Sequence, residues 1–185
     1  SLVLPQRLID RVAEAHPDTI LIYGTNSTDV GVLLRAIRYW HLQAQIITSP
    51  GGASSVTRNV AAEAQDGVYV ATDALLNSSP IGSHFKQAFQ QRFGMQPDTY
   101  IAWIYDAIYL LANTLRDHGS TPQALNAALH ATTYQGAQGT YRFDATGEGL
   151  HQVMLVRIEH GQATTVGTYN AHGLVSVNDE EPKHA

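Results

Sequence analysis

The first 72 residues alternate between two hydrophobic periods, and that alternation narrows the fold more than any other feature of the chain. Leu4, Leu8, Ile9 and Val12 share one helical face, with Pro5 at a tolerated first-turn position and Pro17-Asp18 as the stop. The run 19–23 (T-I-L-I-Y), closed by Gly24, reads as a short strand covered on both faces. A polar turn, Thr25-Asn26-Ser27-Thr28, leads into a helix whose buried stripe is Val30, Leu33, Leu34 and Ile37, with Trp40 extending it. Asn26 or Ser27 caps that helix, and Asp29 lies in its first turn, where a negative charge suits the dipole. Residues 44–48 form the next strand and Ser49-Pro50-Gly51-Gly52 the next turn. A helix with Val56, Val60, Ala61 and Ala64 inward then ends at Asp66-Gly67, and 68–72 (V-Y-V-A-T) is a third strand. Helix and strand alternating at this spacing require right-handed crossovers and predict an α/β fold with a parallel, layered sheet.

The rhythm breaks at the polar loop 73–82. Phe85, Ala88, Phe89 and Phe93 define a helix stopped by Gly94. Pro97 and Gly119 then bracket a long apolar helix on which Ile101, Ile104, Tyr105, Ile108, Leu111, Ala112 and Leu115 recur at three- and four-residue steps. At about 30 Å it has the length to span a membrane, but Asp98, Asp106, Arg116 and Asp117 interrupt it, so a core helix is expected. A short helix from Pro122 turns Leu125 and Leu129 inward. Only 139–143 (G-T-Y-R-F) reads as strand in this region. Residues 152–158 and 162–169 form a hairpin across His160-Gly161, and the charged tail 178–185 is expected to be loose. Three apolar helices between 83 and 132 therefore have too little sheet of their own to cover.

Composition removes several function classes. Net charge is −5 with no basic block, which argues against nucleic acid as a partner. With no cysteine there is neither disulfide nor thiol chemistry. The chain opens at Ser1 without Met or a secretory leader, so we expect a mature segment or an excised piece of a longer chain. Phosphate-loop and serine-elbow signatures do not occur, Gly147-Glu148-Gly149 leads into a hairpin rather than a helix, and the nine histidines are dispersed. We expect no catalysis, no cofactor and no metal. Two polar turns retain functional weight: Thr25-Asn26-Ser27 and Ser49-Pro50-Gly51 both follow the carboxyl ends of parallel strands, the edge at which open α/β sheets bind ligands. Ordinary strand-to-helix turns would look the same, and both readings stand at this level.

Taken in order, these pieces resemble the second half of a type I periplasmic binding protein of the leucine/isoleucine/valine-binding family. The resemblance runs through Tyr23-Gly24, Leu34-Arg35, Leu42, 66–70 (D-G-V-Y-V), Phe85, Phe89, Phe93-Gly94, Pro97, Tyr105-Asp106-Ala107, 110–112 (L-L-A), Gly139, Phe143-Asp144, Gly147 and Gly161. It implies a Rossmann-like C-terminal lobe from residues 1–72 and 150–177, with 73–149 giving hinge crossings and the helices of an incomplete N-terminal lobe. It also implies an extracytoplasmic solute-binding component of an ABC transporter that closes on an amino acid or organic acid and delivers it to a membrane permease. The alternative use of the same fold is a ligand-sensing domain of a signalling protein. Ligand contacts fall by resemblance on the two turns and on Tyr100, which opens the long helix and for which a core residue of the first turn is the simpler reading. Family members that bind α-amino acids often carry an acid where this chain has Pro50, so amides, organic acids and aromatic acids are equally open. The uncovered helices finally lead us to expect self-association.

Overall fold

The computed structural model describes residues 6–24, 26–73, 75–76, 79–149, 152–170 and 173–177. They form two compact units, Ser1–Thr72 with Val153–Ala185, and Asp73–Gln152. Leu4, Pro5 and the tail expected to be loose lie outside the described residues.

The first unit contains α1 (Gln6–Glu14), β1 (Thr19–Ile22), α2 (Ser27–Tyr39), β2 (Gln45–Thr48), α3 (Ser55–Ala61), β3 (Tyr69–Thr72), β6 (Gln152–Glu159), β7 (Gln162–Asn170) and β8 (Gly173–Val177). Its sheet has the order β1-β2-β3-β6-β7-β8. β1, β2 and β3 are parallel, as the alternation requires, whereas β6 runs antiparallel to β3. Both residues of the β6–β7 turn have positive φ, His160 at 49° and Gly161 at 72°, the pattern of a tight hairpin whose twist matches its strands. A row of side chains in register across four strands, Ile22, Thr48, Val70 and Val156, is buried on one face of the sheet. α2 and α3 pack together so tightly that a Cβ on Gly31 would stand 2.7 Å from the Cβ of Val60. α2 buries Val30, Gly31, Leu34 and Ile37, with Leu33 half-buried.

Several expectations need correction here, among them the inward face of α3: Val56 is 45% exposed, and the helix buries Thr57 and Ala61. β1 is not covered on both faces: it is the sheet's edge, and Leu21 is 68% exposed. Trp40 does not extend the α2 stripe; it caps the helix's C-terminus and is exposed, its ring edge-on to Tyr39. β8 was not expected at all.

The second unit contains α4 (Pro80–Phe93), α5 (Thr99–His118), α6 (Pro122–Ala131) and a hairpin of β4 (Thr133–Gln135) with β5 (Thr140–Arg142). β4 too was absent from the sequence reading. Asp98 caps α5, its Oδ1 accepting from the Ile101 N–H, and Gly119 at φ 86° ends it. Leu76, Phe85, Ala102 and Ala137 form a core with Phe89 and Ile101 packed on it. The buried face of α5 is Ala102, Asp106, Leu110 and Thr114, not the apolar stripe read from the periodicity. Ile104, Ile108, Leu111 and Leu115 are exposed, as is Trp103.

Asp106 holds this unit together. Its carboxylate, 1% exposed, accepts the Ala137 N–H at 2.7 Å, the Gln138 N–H at 2.9 Å and the Tyr141 hydroxyl at 3.1 Å. The β4–β5 hairpin is thereby pinned to α5. Gly136 makes the approach possible, since a Cβ there would lie 2.4 Å from Asp106 Oδ2. Burial, followed by the neighbouring Asp106 charge, pushes the Tyr141 phenol far above its ordinary pKa, so it stays a proton donor.

Candidate functional site

The two polar turns sit at the carboxyl ends of β1 and β2, adjacent parallel strands, and the structure stitches them together. The Ser49 N–H donates to the Ile22 carbonyl at 3.1 Å, and Ser49 Oγ donates to the Gly24 carbonyl at 2.9 Å. Behind both turns lies Thr57, fully buried on α3. Its Oγ1 is 2.8 Å from the Ser27 carbonyl and 2.6 Å from that of Gly51, while it accepts from Ser54 Oγ at 3.1 Å. A hydroxyl has one proton, so the two carbonyls share it. Gln65 Nε2 donates to the Gly52 carbonyl and fixes the far end of the second turn.

Each predicted residue except Thr25 has a definite place. Asn26 caps α2: its Oδ1 accepts from the N–H groups of Thr28 at 2.9 Å and Asp29 at 3.4 Å, leaving the exposed amide NH2 available. Ser27 opens α2 and is half-buried. Ser49 is 9% exposed, and its hydroxyl is turned to the first turn instead of capping its own. Pro50 begins a 3-10 turn, Pro50–Ala53, at the position where a missing N–H costs nothing. Gly51 and Gly52 are buried, and a Cβ on Gly52 would fall 1.8 Å from Thr48 Oγ1, so only glycine fits this turn. Thr25 lies outside the described residues.

Asn26, Ser27, Ser49, Pro50 and Gly51 therefore form one surface, and Tyr100 belongs to the other unit. Tyr100 is the second residue of α5 and 42% exposed. Partial burial, then the charges of Asp98 and Asp73, raise its phenol above the ordinary value, so near neutral pH it is an uncharged hydrogen-bond donor. The second unit also holds a cavity of about 430 Å³ lined by Trp103, Leu110, Leu129 and Phe143 among others, with Asp73, Asp106, Tyr141 and Glu148 as polar members.

The sequence reading missed Thr57 and the strand-ending threonines. β2 and β3 both finish on Thr, and the Thr48 and Thr72 hydroxyls are buried without a hydrogen-bond partner among the described residues. The repeated strand-end Thr, in Q-I-I-T and Y-V-A-T, was the available signal. Thr57 gave none: a β-branched hydroxyl residue inside a short helix is read as indifferent surface. Among the described residues no cluster of three or more His, Asp or Glu could hold a metal ion, and no helix is long and apolar enough to cross a membrane.

The surface can offer main-chain N–H groups, hydroxyls and one free amide to a small ligand, and neither turn carries an ionised side chain. A family model of periplasmic binding proteins matches residues 5–163. Solved structures share the fold. A leucine binding protein from Thermotoga maritima superposes with a TM-score of 0.80 at 19% identity, over 90% of this chain and 49% of that one. A solute binding protein of an ABC transporter from R. palustris, in complex with benzoate, gives 0.77 at 18% identity, over 94% and 48%. A putative branched-chain amino acid ABC transporter from Rhodospirillum rubrum gives 0.67 at 26% identity, over 87% and 48%. The chain thus spans about half the length of each. No curated protein sequence matches it significantly.

Proposed function

The chain belongs to the periplasmic binding protein family, and from that premise we propose that it is an extracytoplasmic solute-binding component of an ABC transporter. In this reading the first unit is the C-terminal lobe of such a receptor and the second supplies hinge crossings and helices of an incomplete N-terminal lobe; a whole receptor of this kind closes on a small ligand, which favours the closed population. The observation that carries this reading is the pair of turns held as one surface by the Ser49–Gly24 and Thr57 contacts, at the sheet edge where open α/β folds bind ligands.

On the first unit the contacts we assign to the ligand are Thr25, Asn26, Ser27, Ser49, Pro50 and Gly51; on the second, considered by itself, the candidate is the neutral phenol of Tyr100. The turns are uncharged, and Pro50 supplies no carboxylate. A buried ammonium would lose its charge-assisted partner there, which favours an organic acid, an aromatic acid or an amide over an α-amino acid. The benzoate complex among the structural neighbours supports this preference, and the leucine binding protein supports the amine-bearing alternative.

A thermal-shift panel of leucine, isoleucine, benzoate, benzamide and short organic acids tests the proposal. A ligand at about 100 times its dissociation constant stabilises by ~2.7 kcal/mol, a readily measured shift. Stabilisation by benzoate or an amide, with leucine silent, is the expected result. In Pro50→Glu the introduced carboxylate should weaken benzoate and favour amines. A panel in which no solute shifts the transition would overturn the reading.

A further inference from the structure

We propose that the groove between α2 and the α3 end of the first unit docks an acidic segment of a partner protein. The groove arises from how the two helices meet. They touch at Gly31 and Val60, and just past that contact α3 stops. Ala62 takes φ 50° and ψ −129°, a conformation that L-residues rarely adopt, and the chain continues as a 3-10 turn, Ala62–Gln65. α2 runs on for two more turns without a neighbour of equal length, leaving an open cavity of about 810 Å³.

Its lining differs from the rest of the surface. Arg35, Arg38, Tyr39 and Trp40 project from one side, and Asn59 and Glu63 from the other. Two guanidinium groups against one carboxylate make this a positive patch on a chain of net charge −5. Arg38 is preorganised: its Nη2 donates to the Asp66 carbonyl at 2.7 Å. Arg35 is exposed and makes no hydrogen bond or ion pair among the described residues, so its donors remain available. Tyr39 is 75% exposed and Trp40 46%, their rings edge-to-face at 5.5 Å. Arg, Tyr and Trp are the residue types that dominate binding energy at protein interfaces. Charge complementarity selects an acidic occupant: Arg35 and Arg38 pair with carboxylates, and an apolar residue between them lies on the two rings. This surface is remote in function from the ligand-gripping turns and does not depend on which solute they take.

The test is calorimetric titration of the chain with a blocked peptide, Glu-Glu-Leu-Phe-Glu-Glu, and its Lys-for-Glu counterpart, with amide-resolved NMR to place the contact. The acidic peptide should bind with a sub-millimolar constant and shift the amides of residues 35–40 and 59–64. Its affinity should fall at least tenfold in Arg35→Glu and in Tyr39→Ala. Arg35→Glu should melt within about 2 °C of the parent, because Arg35 makes no hydrogen bond in the fold among the described residues. Arg38→Glu is read only alongside its melting curve, since it also loses the bond to Asp66. The proposal is overturned by no binding of the acidic peptide at 1 mM, by equal binding of the Lys peptide, or by undiminished affinity in Arg35→Glu.

Discussion

Replacing Asp106 by Asn removes one negative charge and almost no volume, so it isolates what the buried carboxylate does. The carboxylate accepts at both oxygens: Oδ1 takes the Ala137 N–H, and Oδ2 takes the Gln138 N–H and the Tyr141 hydroxyl. An amide has one acceptor oxygen and an NH2, so in either orientation one of the two main-chain N–H groups faces a donor. Each hydrogen bond to a charged acceptor contributes about 1.5–3 kcal/mol, and a stranded buried N–H costs about 1–3 kcal/mol. These overlap, and neutralising a buried charge relieves part of its desolvation. A net loss of about 2–4 kcal/mol follows. Urea unfolding at neutral pH, followed by circular dichroism, would measure it. Hydrogen exchange would localise it, with lost protection at Ala137 and Gln138. A loss below about 0.5 kcal/mol, or unchanged exchange at both amides, would refute the view that Asp106 pins the β4–β5 hairpin to α5.

Three further outcomes follow from the same structure. Tyr141 has a folded-state pKa raised above its unfolded value of about 10, so the folded chain holds its proton more tightly. Its contribution is complete below pH 10 and is lost as pH rises beyond it; unfolding free energy measured from pH 8 to 11 should fall more steeply in the parent than in Tyr141→Phe. Gly52→Ala places a methyl against Thr48 Oγ1 and should cost about 2–4 kcal/mol in denaturant unfolding while also disturbing solute binding, because the second turn must move. The exposed apolar side of α5, with Trp103, Ile104, Ile108 and Leu111, should drive the isolated chain to self-associate, which sedimentation reads directly. Trp103→Glu should shift that equilibrium toward monomer, and a parent chain monomeric at high concentration would contradict it.

The order of elements was legible in the sequence because short apolar runs alternated with helical stripes, and signals such as Asn26, Pro97 and Gly119 marked their ends. What failed was the face of α5. Hydropathy assigns Asp106 and Thr114 to solvent and Ile104 and Ile108 to the core, and the structure reverses both. Asp106 is buried because main-chain N–H groups some thirty residues away satisfy it, and Thr114 because its hydroxyl donates to the Leu110 carbonyl at 2.7 Å. Partners so distant in sequence leave no local pattern. β4 was missed for a different reason: Thr133–Gln135 is three residues long and shows no alternation to count. At the candidate site the two turns were visible from their polar composition and their place after apolar strands. Thr57, which couples them, was not, since its role depends on two carbonyls from separate turns.

The central claim is that the turns after β1 and β2 grip a small solute. The most direct measurement is an amide-resolved NMR titration of the chain with benzoate, benzamide and leucine in turn. The account predicts shifts concentrated at Asn26, Ser27, Ser49, Gly51 and Gly52, with Thr57 following, and larger for the ligands that carry no ammonium. Shifts confined to other residues, or none with any of the three, would contradict it.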